Sequence, residues 1–187
     1  MTDKLRAGVA GAGVFGGYHA NKYAESDRAD LTAVYDVDQA RAEQGAAKHE
    51  ALGTSDFDQF LSHIDVLTIA TPAITHGVLA ERALEAGKHV LVEKPIALDL
   101  SVADRLISLS QANKVVLQVG HQERYVADAF GFFDRGVPKS VRSRRLNKFS
   151  GRAMDVSVIF DLMIHDLDLL AMLSGTDEAE IIDLQVR

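Results

Sequence analysis

Strand and helix patterns alternate through the first two-thirds of the chain, which predicts an α/β fold with a doubly wound parallel sheet. Two further observations sharpen this. The strand patterns are short, near-continuous apolar runs, as expected of a parallel sheet covered on both faces. The first run, Leu5 to Ala10, leads into Gly11-Ala12-Gly13-Val14-Phe15-Gly16 and then a helix-forming stretch. In a strand–turn–helix setting, G-x-G-x-x-G has a physical meaning. Gly11 permits the tight turn, bare Gly13 lets a pyrophosphate approach, and Gly16 lets the helix pack against the strand. The helix N-terminus then points its free N–H groups at the phosphates.

The elements follow in order. The first helix runs from about Phe15 to Glu25, and Leu31 to Asp36 is the second strand. Asp36 stands about 20 residues past the glycine turn, where a carboxylate accepts from the adenosine ribose hydroxyls. An acid there repels a 2′-phosphate, and no arginine stands immediately beside it, so NAD is expected over NADP. Asp38 caps a helix reaching about His49, and Ser55-Asp56 starts a short one through Leu61. Asp65 to Ala70 is a buried strand broken by Thr71-Pro72. A helix from about Thr75 to Ala86 ends at Gly87. Lys88 to Glu93 is a strand stopped by Pro95. A helix capped by Asp99 or Ser101 reaches Asn113, and Val115 to Val119 is the next strand.

Beyond Gly120 the pattern changes. Asp128 to Arg135 reads as a helix, Lys139 to Phe149 as a long polar strand, Asp161 to Leu173 as a helix and Glu180 to Val186 as a strand. Two strands and two helices make a poor independent domain. The division expected is a dinucleotide-binding domain over 1–120 and an incomplete α+β substrate domain over 121–187.

Composition narrows the function classes. The 187 residues are 47% hydrophobic and 25% charged, enough for a real core. A net charge of −7 argues against a general nucleic-acid binder. Without cysteine there are no disulfides or thiolate metal sites. No membrane-spanning run occurs, and the first strand starts close to Met1, so a cytoplasmic chain without a signal peptide is expected.

Two places carry chemistry. Glu93-Lys94-Pro95 sits at the carboxyl end of a parallel strand, where doubly wound sheets bind ligands. Lys94 there either steadies a substrate hydroxyl or is a solvent-facing lysine before a turn proline. Asp161, His165 and Asp168 fall at i, i+4 and i+7, so they share one helix face. A histidine beside a carboxylate suits proton transfer near neutral pH. The same spacing also suits a metal site, or simply a capping Asp and a hydrogen-bonded histidine. Lys139, Arg142, Arg144, Arg145, Lys148 and Arg152 form a basic stretch in an acidic chain. On a strand, Arg142 and Arg144 share one face and Arg145 takes the other. Such a stretch either contacts phosphate or is a solvated face that guards a sheet edge.

Gly11 to Gly16, Asp36, Ala70-Thr71-Pro72 with His76, Glu93-Lys94-Pro95 and Asp161-x-x-x-His165 occur in the order seen in the glucose–fructose oxidoreductase / inositol dehydrogenase (Gfo/Idh/MocA) family, which the chain resembles over nearly its whole length. The resemblance implies an NAD-dependent oxidoreductase acting on a sugar, polyol or nucleotide-sugar hydroxyl. Lys94, Asp161 and His165 match the catalytic positions, with His165 the acid/base. Gly11, Ala12, Gly13, Val14, Phe15, Gly16, Asp36, Ala70, Thr71, Pro72, His76, Glu93 and Lys94 match the cofactor positions. Asp161 to Asp168 resembles a subgroup that includes UDP-N-acetylglucosamine 3-dehydrogenase. Members of the family continue into a large, mostly antiparallel sheet that walls the substrate pocket and often forms a homo-oligomer interface. The chain is therefore expected to be a truncated member, either an oxidoreductase or a non-catalytic dinucleotide-binding module.

Overall fold

The computed structural model describes residues 4–146 and 156–175. The chain divides into two compact units, residues 1–120 and 121–187.

The first unit is a six-stranded, all-parallel sheet. Its strands are β1 (Leu5–Ala10), β2 (Ala29–Tyr35), β3 (Leu52–Thr54), β4 (Val66–Ile69), β5 (His89–Glu93) and β6 (Leu117–Gly120). Their order is β3-β2-β1-β4-β5-β6, the doubly wound order of two mononucleotide-binding halves. The order reverses between β1 and β4, so the crevice at their carboxyl ends is where a ligand is expected. β3 does not stand out in the sequence. It has only three residues, one of them Gly53, and no apolar run to mark it.

Five helices cover the sheet: α1 (Val14–Ala24), α2 (Gln39–Ala47), α3 (Phe57–Ser62), α4 (His76–Glu85) and α5 (Leu100–Asn113). Asp38, Asp56 and Asp99 cap α2, α3 and α5 through side-chain bonds to the first-turn N–H groups. Strand alternation splits the core. Val9 and Val34 pack with Ala20 of α1 and Ala46 of α2. Ala10, Ala33, Leu67, Ile69, Val90 and Val92 pack with Phe60, Leu79, Ala83 and Leu106 from α3, α4 and α5.

The second unit holds α6 (Glu123–Ala129), a 3₁₀ turn at Phe133–Arg135, a π-helical turn at Ile159–Met163 and α7 (Ile164–Ser174). Two sequence expectations change here. The helix read over Asp128 to Arg135 begins earlier and breaks at Gly131, which has φ +64°. The strand read over Lys139 to Phe149 is irregular through residue 146 and joins no sheet among the described residues. Its polar residues satisfy strand spacing without an apolar face to hold one. The remainder of that strand and the one read at Glu180 to Val186 lie outside the described residues.

At the opposite edge from the crevice, Arg6 of β1 grips Asp65 just before β4. Nη2 lies 2.5 Å from Oδ1, and Nε and the backbone N–H each lie 3.1 Å from Oδ2. The Arg6 hydrogen bond holds the Asp65 carboxyl down to about 2, from an ordinary 3.8. A carboxyl lowered on folding stabilises the fold above its unfolded value and loses that contribution on acidification. Stability should therefore fall between about pH 4 and pH 2, and Asp65→Asn should shallow that fall. Denaturant melts across this range check it; identical slopes would contradict it.

Candidate functional site

The turn after β1 is built by close approach. Gly11 has φ +102°, and a Cβ there would lie 2.6 Å from the Ala70 carbonyl oxygen at the end of β4. A Cβ on Gly16 would lie 1.7 Å from the Gly11 carbonyl oxygen. Both positions therefore need glycine, one for conformation and one for space. Gly13 differs: its φ is −79° and a Cβ would meet nothing within 4 Å. It is the N-cap of α1 and offers the first turn no side-chain hydrogen bond. Open space before an uncapped helix N-terminus fits an entering pyrophosphate. Val14 and Phe15 begin the helix with exposed side chains.

Asp36 follows β2 and is buried. Oδ2 accepts the Ala12 N–H at 2.9 Å, which ties the glycine turn to β2. Oδ1 accepts the Asp38 N–H at 3.0 Å and Arg41 Nη2 at 2.7 Å. Burial pushes the carboxyl up, but these donors outweigh it and hold it below the ordinary value. It is thus an ionised acceptor aimed at the crevice edge. Arg41 corrects the expectation that no arginine stands beside Asp36. The sequence separates them by five residues, but the first turn of α2 returns Arg41 to the carboxylate.

Thr71 and Pro72 follow β4, and Thr75 Oγ1 lies 2.8 Å from both Thr71 Oγ1 and the Pro72 carbonyl. His76 opens α4 and is fully buried. Its Nε2 lies 2.9 Å from the Thr71 carbonyl and its Nδ1 lies 2.7 Å from the Pro95 carbonyl. The ring therefore joins the loops after β4 and β5. Glu93 ends β5, buried, and Lys94 follows half-buried, before a cis bond to Pro95. Glu93 Oε1 lies 2.8 Å from His19 Nε2 of α1. His19 was not apparent from the sequence, where it is an ordinary helix residue. Its signal is that it lies on the sheet-facing side of α1 with Gly16, Ala20 and Tyr23.

In the second unit, Asp161 lies in the π turn and His165 is the second residue of α7, both half-buried. The i, i+4 spacing assumed an unbroken α-helix; the wider π turn changes the phase of Asp161. Asp168 is half-buried and accepts from Arg124 Nε at 2.7 Å and from Nη2. No three His, Asp or Glu residues gather to hold a metal among the described residues. Asp168 is engaged by Arg124 instead. Asp166 accepts from Arg145 at 3.2–3.3 Å. Burial raises that carboxyl, but Arg145 and Ser143 outweigh it and lower it. Arg145 is thus a structural cation, while Lys139, Arg142 and Arg144 are exposed on an irregular segment. The alternating-face argument for these residues fails with the strand. Lys148 and Arg152 lie outside the described residues.

Residues 5–121 match the family model described as oxidoreductase family, NAD-binding Rossmann fold, of the Gfo/Idh/MocA group. The chain belongs to the Gfo/Idh/MocA oxidoreductase family. Its cofactor fold is accordingly NAD-binding. Among relatives, UDP-N-acetylglucosamine 3-dehydrogenase of Acidithiobacillus ferrooxidans is 39% identical over 183 residues, covering 95% of this chain and 56% of that protein. Its solved structure superposes with TM-score 0.85 over 93% of this chain and 58% of that one. Inositol 2-dehydrogenase of Corynebacterium glutamicum is 28% identical, covering 94% of this chain and 56% of its own. The structure of GenD2 from gentamicin A biosynthesis, in complex with NAD, is 34% identical at TM-score 0.62, over 65% of this chain and 35% of that one. The chain thus spans a little over half the length of the curated Gfo/Idh/MocA relatives it matches. No helix among the described residues is long and apolar enough to cross a membrane.

The two glycines separate fold from binding. Gly13→Ala should keep the melting temperature while weakening NAD by about tenfold or more, because the new methyl occupies phosphate space. Gly16→Ala should also destabilise the fold, by about 1–3 kcal/mol of overpacking. Calorimetry and thermal melts on both variants check this; equal melting losses would contradict it.

Proposed function

We propose that this chain is the cofactor-binding part of an NAD-dependent dehydrogenase acting on a sugar or nucleotide-sugar hydroxyl. The substrate class proposed is UDP-N-acetylglucosamine or a close analogue. One observation carries the reading. The glycine turn, Asp36 and Glu93-Lys94 share one edge of a sheet whose order reverses there, in a chain of this oxidoreductase family. The substrate class is supported by the 39% identity to UDP-N-acetylglucosamine 3-dehydrogenase.

When bound, the nicotinamide supplies the hydride acceptor. The chain's own residues are assigned the remaining tasks. Gly13 and the α1 N-terminus take the pyrophosphate, and Asp36 takes the adenosine ribose. Asp36 Oδ1 already holds two donors, so the ribose hydroxyls are assigned to Oδ2, which holds one. Val14, Phe15, Ala70, Thr71 and Pro72 are assigned to the walls of the cofactor site, and His76 to holding two of its loops. Lys94 steadies the substrate oxygen, and His165 accepts the hydroxyl proton with Asp161 orienting it. Residues 1–120 are proposed as the dinucleotide domain and 121–187 as the start of the substrate domain. Homo-oligomerisation through the substrate domain and a cytoplasmic location belong to the same reading.

The test begins with the chain and both dinucleotides. NAD should bind more tightly than NADP, and Asp36→Ala should narrow the gap; equal or tighter NADP binding sinks the preference. NADH formation is then followed with UDP-N-acetylglucosamine, N-acetylglucosamine and inositol. Lys94→Ala and His165→Ala should each lower turnover by about 10²–10⁴-fold while NAD affinity holds. A chain that binds NAD and turns over none of these is a dinucleotide-binding module instead.

A further inference from the structure

The Glu93 carboxylate has a setting of its own, distinct from the proposed role of Lys94. Glu93 is the last residue of β5, and β-strand alternation turns it away from Val90 and Val92 toward the α1 side of the sheet. There His19 Nε2 lies 2.8 Å from Oε1, with the two side chains only 19% and 11% exposed. A carboxylate only accepts, so His19 Nε2 donates. Gly120 at the end of β6 closes the other side. A Cβ there would stand 3.0 Å from the Glu93 carboxyl carbon, so the absent side chain makes the room. The carboxylate is thus held by three elements of one unit, at a fixed place on the carboxyl edge of the sheet.

That place belongs to one half of the crevice. Asp36, after β2, marks the half that takes the adenosine ribose, so β4, β5 and β6 form the half left for the nicotinamide mononucleotide. His19 is five residues past the start of α1, so the helix carries its backbone roughly 8 Å from the pyrophosphate end, and its side chain meets the carboxylate. The oxidised nicotinamide ring carries a positive charge and the reduced ring carries none. A buried carboxylate in this half interacts favourably only with the oxidised form.

We propose that Glu93, held by His19, makes the cofactor site discriminate between oxidation states, favouring NAD⁺ over NADH and lowering the potential of the bound couple. The inference rests on the NAD-binding reading but not on turnover. Lys94, next in the chain, acts in the opposite sense, so Glu93 is changed alone.

The experiment measures dissociation constants of NAD⁺ by calorimetry and of NADH by fluorescence, for the chain and for Glu93→Gln. The ratio of NADH to NAD⁺ dissociation constants should fall about tenfold in the variant, the order expected for removing one unit charge from a partly solvated crevice. Should Glu93→Gln fail to fold, His19→Leu and His19→Gln carry the test. His19→Leu removes the donor and should lower the ratio, while His19→Gln keeps one and should restore it. A merely structural His19 would move both constants together. Ratios unchanged across folded variants overturn the inference and leave NAD binding standing. Wild-type chain that binds neither form overturns the NAD reading and this inference with it.

Discussion

The crevice depends on how closely α1 lies against the sheet. Gly16 has no side chain to hold the helix away from the turn, and the Gly11 carbonyl occupies the space a Cβ would need. That approach sets every later contact of the helix. It brings Tyr23 to Thr68 of β4 at 2.9 Å and His19 to Glu93 of β5, while Ala12 in the turn before it donates its N–H to Asp36. The turn and the helix together therefore index β2, β4 and β5 against one another. A shift of an ångström in α1 would carry the Tyr23 and His19 contacts, at 2.9 and 2.8 Å, out of hydrogen-bond range. The burial of Tyr23, which pushes its phenol up, is a measure of how tightly that face is closed.

Much of this fold was legible because the signals were redundant. β1, β4 and β5 are apolar runs bounded by glycine, proline or charge, and three of the helices begin at an aspartate that does cap them. What stayed hidden was decided by pairing rather than by local pattern. β3 is a strand because β2 offers it an edge at Ala33 to Tyr35, not because Leu52-Gly53-Thr54 favours one. The polar stretch from Lys139 failed in the opposite way. It has strand-compatible spacing, yet through residue 146 no strand among the described residues takes it up.

The candidate site divides along the same line. Gly11, Gly13, Gly16 and Asp36 could be read directly, because each answers a backbone or spacing requirement that a linear motif records. Their partners could not. Arg41 reaches Asp36 only once α2 has formed, His19 reaches Glu93 only across β4, and Arg145 reaches Asp166 across 21 residues. Long side chains of opposite sign are frequent in any soluble sequence, so their pairing carries no local signature. Asp168 shows the same: its spacing from Asp161 and His165 suits one face of an unbroken helix, yet its partner is Arg124, 44 residues away.

Arg41 also refines what an acid after β2 means for cofactor choice. A lone carboxylate would repel a 2′-phosphate with its full charge. Here the guanidinium lies 2.7 Å from Oδ1 and offsets part of that charge, although its own side chain is largely exposed and can move. Selection against the phosphate then rests less on net charge than on hydrogen-bond capacity. Oδ2 has room for a ribose donor, whereas a phosphate oxygen brings no proton to give and would face an acceptor. Removing Arg41 alone would therefore leave the acceptor in place and strengthen the repulsion, while removing Asp36 frees Arg41 to meet a phosphate. The two residues act on cofactor choice in opposite directions, and the carboxylate, fixed by two backbone N–H groups, is the one whose position does not depend on the other.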